Sequence, residues 1–151
     1  MSRYLLVGAA VLAVLAVGFF IFGSGTGNVV ANTGQFLDES DLIKIPLNEV
    51  SRTAAFYDYD GIKFFVVKAK DGSVKTAFDA CDVCHGSKKG YRQEGDDMIC
   101  NKCGNYYPIS GLGTRNLRGG GCWPGYLLMK VERDYIVIQK VALESGRYRF
   151  A

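Results

Sequence analysis

Four cysteines stand in two pairs, Cys81-Asp82-Val83-Cys84 and Cys100-Asn101-Lys102-Cys103, with 15 residues between the pairs. A CxxC turn brings two sulfurs to one side of the chain, where the amides of the turn hydrogen-bond them. Two such turns offer four soft thiolates to one metal. The spacing fits zinc-ribbon and rubredoxin sites. It predicts Cys81, Cys84, Cys100 and Cys103 as ligands. Four thiolates suit a single iron, an iron–sulfur cluster or a zinc ion, so the spacing leaves the metal open. A closed zinc site would be structural and would add its binding free energy to folding.

Two other readings compete for the same residues. The pairs could form two disulfides, since exported cysteines tend to oxidise. A CxxC disulfide closes a very small loop, however, and contributes little entropy. His85, the only histidine, turns the first pair into a CxxCH motif. That motif attaches a c-type haem, with His85 as axial ligand and Met98 or Met129 as candidates for the second. Against haem stands the second pair, which would be left without a partner. The alternative for His85 is a loop residue or a hydrogen bond to a sulfur. A Rieske centre needs two histidines, which this chain lacks. Cys122 is the fifth cysteine, preceded by Gly119-Gly120-Gly121 and followed by Trp123-Pro124. It reads as an additional ligand, a redox-active thiol beside the centre, or a buried small apolar residue.

The rest of the composition narrows the function. At 151 residues there is room for one folded domain. The net charge of +3 is scattered, and Lys88-Lys89 is the only pair of adjacent lysines. No basic patch interleaved with aromatics points to nucleic acid. There is no nucleophile elbow, no phosphate loop and no acid/base pair with a histidine partner. A redox carrier therefore fits better than an enzyme.

The elements that must position the cysteines begin with an anchor. Tyr4 to Phe22 is an apolar run of 19 residues without charge. As a helix it would span about 28 Å, close to a hydrocarbon core of roughly 30 Å. Arg3 ahead of it favours an N-inside orientation, which places the remainder outside the cytoplasm. A cleaved signal is the rival reading, with Gly23-Ser24-Gly25 as the small residues, but the run exceeds a usual h-region. The expected order is an anchor helix over 1–22, a Gly/Asn/Thr-rich tether over 23–36 and a β-rich domain over 37–151. Both the anchor and the signal reading export that domain.

Within the domain, Leu42–Pro46, Ala54–Tyr59, Ile62–Ala69 and Ser73–Phe78 read as strands, with Asp60-Gly61 and Asp71-Gly72 as turns. They form a meander that delivers the chain to Cys81. Gly90–Gln93 and Met98–Ile99 read as arms of a small hairpin that returns the second pair beside the first. Asn105–Ile109 is apolar enough to pack on the site, and Gly111–Gly121 is a Gly-rich loop. Tyr126–Val131 and Tyr135–Val141 form a final hairpin about Glu132-Arg133-Asp134. Ala142–Phe150 is a short helix or an extended tail. The fold class is mainly β, with a zinc-ribbon-like or rubredoxin-like pair of knuckles.

Four stretches in order complete a more specific pattern. They are Asp79-Ala80-Cys81-x-x-Cys84, Gly90-Tyr91-Arg92-Gln93-Glu94-Gly95-Asp96, Met98-Ile99-Cys100-x-x-Cys103-Gly104 and Gly120-Gly121-Cys122-x-Pro124. This pattern resembles the FtrD-like membrane iron–sulfur-containing proteins, over roughly Phe64 to the C-terminus. The resemblance implies that Cys81, Cys84, Cys100 and Cys103 ligate a metal or cluster, and that Cys122 belongs to the motif. It also implies a membrane protein, in some members associated with ferrous-iron uptake. The chain departs from the family pattern at His85, where Gly is usual, and at Trp123-Pro124, where Asn-Pro is usual. The resulting expectation is a single-pass membrane protein carrying an extracytoplasmic iron or iron–sulfur centre for electron transfer, with iron-uptake or redox proteins of the membrane as partners. Its alternatives are a monohaem c-type cytochrome and a zinc-stabilised binding module.

Overall fold

The computed structural model describes residues 39–114 and 121–151. Its strands are β1 (Leu42–Pro46), β2 (Ala55–Tyr59), β3 (Ile62–Lys68), β4 (Val74–Phe78), β5 (Tyr91–Glu94), β6 (Asp97–Cys100), β7 (Tyr106–Pro108), β8 (Lys130–Glu132) and β9 (Tyr135–Gln139). A short helix, α1 (Lys140–Glu144), follows β9, and a 3-10 turn at Arg147–Arg149 ends the chain. The predicted anchor and tether lie outside the described residues. Among the described residues no helix is long and apolar enough to cross a membrane.

The strands form three antiparallel sheets of three strands each, in the orders β1-β9-β8, β2-β3-β4 and β5-β6-β7. The first sheet joins the two ends of the domain, with Ile43 opposite Ile138 and Ile45 opposite Ile136. The second is the predicted meander. Its β2–β3 turn works because Asp60 and Gly61 take φ of 48° and 79°. Paired positive φ values match the twist of a two-residue hairpin.

β3 is buried on both faces, which is why Ile62–Lys68 reads as a nearly continuous apolar run. Alternation sends Phe65 and Val67 into one core cluster, and Ile62, Phe64 and Val66 into another. The second cluster includes Ile136, Ile138, Leu127 and Leu143, and so holds the terminal sheet. The first cluster includes Tyr91, Met98, Tyr107, Cys81, Cys100 and Cys122. β3 is thus the wall between a purely structural core and the cysteine-bearing one.

The third sheet carries the second pair. β5 and β6 form the predicted hairpin, with Tyr91 opposite Cys100. β7 adds to it, with Met98 opposite Tyr107. This third strand is legible in the sequence only as an apolar segment. It is three residues long and ends on Pro108, too short to show a period.

A last connection brings Cys122 in. The N–H of Phe78 donates to the Gly125 carbonyl at 2.8 Å, and the N–H of Gly125 donates to the Ala80 carbonyl at 2.8 Å. Ala77 bridges Tyr126, and the buried Thr76 hydroxyl donates to the Leu127 carbonyl at 2.9 Å. These bonds lay the 122–127 segment along the end of β4, beside the first pair.

Candidate metal centre

Each cysteine is placed by a different local device. The first pair follows β4 directly, and the N–H of Cys84 donates to the Cys81 sulfur at 2.8 Å. Cys100 ends β6, and the turn after it closes through the Gly104 N–H on the Cys100 carbonyl at 2.8 Å. Gly104 takes φ of 73°, a conformation that Gly adopts without a Cβ penalty. Asn101 then ties the second turn to the chain following the first. Its N–H donates to the Gly90 carbonyl at 3.0 Å and its side-chain amide to the Lys89 carbonyl at 2.9 Å.

The sulfurs of Cys84, Cys100, Cys103 and Cys122 all lie within 4.8 Å of one another. Cys84 and Cys122 are 3.0 Å apart, sulfur to sulfur, and all five cysteines are free thiols. In a tetrahedral site with metal–sulfur bonds of roughly 2.3 Å, the sulfurs stand about 3.8 Å apart. The four thiols therefore fit a soft metal in number, chemistry and spacing. Of the four ligands expected from the spacing, three stand in this group, and the fourth member is Cys122. Cys81 is buried outside the group, with its sulfur accepting the Cys84 N–H. His85 is also outside it, and its ring meets the edge of Tyr148 at 6.1 Å.

Two tyrosines hold Cys122 in place. The Tyr91 hydroxyl of β5 donates to the Cys122 carbonyl. The Cys122 N–H donates to the Tyr107 hydroxyl of β7 at 2.9 Å. Both rings are buried and meet edge to face at 6.2 Å, and Trp123 packs on Tyr107 at 5.1 Å. The Cys122 peptide is thus gripped on its donor and acceptor sides by the sheet that carries Cys100. From sequence Tyr107 reads as core. Its role follows only from the pairing of β6 with β7.

Asp79, which precedes the first cysteine pair, is half-buried and accepts the Tyr91 N–H at 2.7 Å. Burial raises its carboxyl to about 6, against the lowering by the Tyr91 N–H and by Lys63. Asp82 is exposed and pairs with Arg149 at 2.6 Å.

The thiols differ in electrostatics. Burial pushes Cys100 up, and the nearby Cys84 sulfur together with burial pushes Cys122 well up. Cys103, at the exposed edge, is lowered by the Asn105 N–H. Bound metal would take all four as thiolates, so loading releases protons. The exposed Cys103 leaves one side of the centre open to solvent.

A mainly β domain with a cysteine cluster able to hold a metal is the class that this fold and site define. The family model of membrane iron–sulfur-containing FtrD-like proteins matches residues 47–150, more than half of the chain. The chain belongs to that family. No curated protein matches it. Among solved structures, the quaternary ammonium Rieske monooxygenase CntA, determined with a bound inhibitor, is similar over 66% of this chain and 31% of that one. The identity is 12% and the TM-score 0.47, and a likeness of that size carries no argument about the site.

Proposed function

We propose that this protein carries a thiolate-held iron centre on the outer side of a membrane and passes single electrons, in support of iron uptake. The observation that carries the reading is the group of four sulfurs within 4.8 Å. Cys84, Cys100, Cys103 and Cys122 are the proposed ligands. Cys81 is a fifth thiol at their edge, whose contact with the Cys84 N–H orders the first turn. Iron held by four thiolates supplies one-electron chemistry when bound. The spacing favours a single ion, because a cluster distributes its four thiolates over two or four irons and spreads the sulfurs. The protein's own residues shield Cys100 and Cys122 from water and leave Cys103 facing a partner.

Membrane attachment rests on the apolar run Tyr4–Phe22, and the outer location on Arg3 ahead of it. The family description supports both the membrane and the iron assignment. A haem fits the geometry poorly. Attachment would need the Cys84 sulfur, which stands 3.0 Å from Cys122 and within the group of four.

Anaerobic purification of the full chain, with metal analysis and visible and EPR spectra on one preparation, tests the reading. A coloured protein with a high-spin ferric signal is expected. Stoichiometric zinc without colour would refute electron transfer, and a haem stain that survives denaturation would refute the thiolate centre. Single Cys→Ser variants then assign the ligands. Cys122→Ser should lose metal as fully as Cys100→Ser, and Cys81→Ser should retain it.

A further inference from the structure

The first and second cysteine turns share a cavity of about 250 Å³ with Cys81, Cys84 and Cys100 at its wall. Four lysines also line it: Lys63, Lys88, Lys89 and Lys102. Lys88 and Lys89 follow the first turn, and Lys102 lies inside the second. Among the described residues, none of the side-chain ammonium groups of these three makes a hydrogen bond or an ion pair, although the backbones of Lys88 and Lys89 do. Among the described residues, Asp79, beside Lys63, is the one carboxylate in the wall. Arg149 also lines the cavity, but its charge is committed to Asp82. The backbone works to keep the lysines there. Lys88 adopts the left-handed region with φ of 53° and ψ of 24°, uncommon for a side-chain-bearing residue, and Asn101 clasps the Lys89 carbonyl.

We propose that this cavity binds a small multiply charged anion, a polycarboxylate or a phosphate, seated against the cysteine centre. A concave, largely formed site with several unpaired ammonium groups concentrates anions and offers several charge-assisted hydrogen bonds at once. Its volume suits a molecule of about a dozen heavy atoms and excludes a folded partner. The contrasting account is that the lysines only balance the charge of the thiolates. In that case they would tune the metal and bind nothing.

The test uses full-length, metal-loaded protein in neutral detergent at fixed ionic strength, with calorimetric titration of two probes. One is tricarballylate, a tricarboxylate lacking the hydroxyl that makes citrate a strong chelator. The other is inorganic phosphate, and propionate serves as the single-charge control. Saturable binding at one site per chain is expected for at least one polyanion, at least tenfold tighter than propionate. Lys88→Glu/Lys89→Glu and Lys102→Glu should each weaken it tenfold or more, while Lys130→Glu, outside the cavity, should leave it unchanged. Tricarballylate binding alone would identify carboxylates as the ligand groups, and phosphate binding alone would identify phosphate. Absence of saturable binding by both, or equal weakening by Lys130→Glu, would overturn the proposal. Metal content measured on each sample keeps this outcome separate from the iron assignment, since zinc-loaded protein has the same cavity.

Discussion

Removing one hydroxyl from Tyr91 should loosen the cysteine centre without removing a cysteine. Tyr91→Phe keeps the ring, which is only 5% exposed, and deletes the donor to the Cys122 carbonyl. That carbonyl lies on a buried residue, and leaving it unpaired costs about 1–3 kcal/mol. For a domain of this size, such a loss lowers Tm by about 4–12 °C. Tyr107→Phe should behave similarly, because it leaves the Cys122 N–H without its acceptor. The two changes act on one peptide unit, so the double variant should fall short of their sum. Tyr106→Phe is the control. It stands next to Tyr107, is 60% exposed, and its hydroxyl bonds Glu94 at 3.3 Å on the exposed surface, so its effect should stay within about 0.5 kcal/mol. Urea unfolding of the metal-loaded protein measures the stability. The rate of metal loss to a chelator measures the centre, and it should rise several-fold in Tyr91→Phe. Equal stability of Tyr91→Phe and Tyr106→Phe would refute the clamp. A stability loss with an unchanged release rate would keep the clamp and remove Cys122 from the ligand set.

Other outcomes follow from the same geometry. Gly90→Ala forces a side chain into φ of 62° and sets its Cβ 2.4 Å from the Asp79 carboxylate, so it should lower stability by about 2–4 kcal/mol. Gly86→Ala, with open space around it, should cost less than about 1 kcal/mol in the same urea titration. Asp79 holds its proton more tightly when folded than when unfolded, because burial raises it from 3.8 to about 6. Its contribution is therefore full below about pH 4 and is lost as pH rises through 6, by about 1–3 kcal/mol. Stability measured across that window should fall in the wild type relative to Asp79→Asn, and parallel profiles would contradict the assignment. Metal removal should release amide protection in β5–β7 before β1 and β9, since Cys100 ends β6, Cys103 lies in the turn from β6 to β7, and β1 and β9 pack in the separate core. Hydrogen exchange with and without chelator reads that order, and uniform loss of protection would contradict it.

Much of the domain was legible before folding, wherever the signal is local. Asp60-Gly61 marks a hairpin because both residues must take positive φ, and few residue pairs do so cheaply. The β3 run marks a strand because β-branched and aromatic residues fill it, and it is buried on both sides. β1, β9 and the β5–β6 hairpin were legible for similar reasons. α1 was read less well. It starts at Lys140, inside the stretch predicted to extend as strand through Val141, because one turn of helix has too few residues to show a period.

The cysteine site divides along the same line. Sequence by itself determined that two CxxC turns meet, because a short hairpin between them leaves the chain few alternatives. It also determined that the donors are thiols, and hence that a soft metal is the fitting guest. Tertiary structure decided that Cys122 joins Cys84, Cys100 and Cys103 within 4.8 Å while Cys81 stands outside. That choice is made by contacts between residues far apart in the chain. The Phe78 and Gly125 hydrogen bonds lay one segment along β4, and the Tyr91 and Tyr107 hydroxyls fix one peptide. Spacing along a chain encodes which sulfurs share a turn. It does not encode which sulfur a distant pair of tyrosines will hold in place.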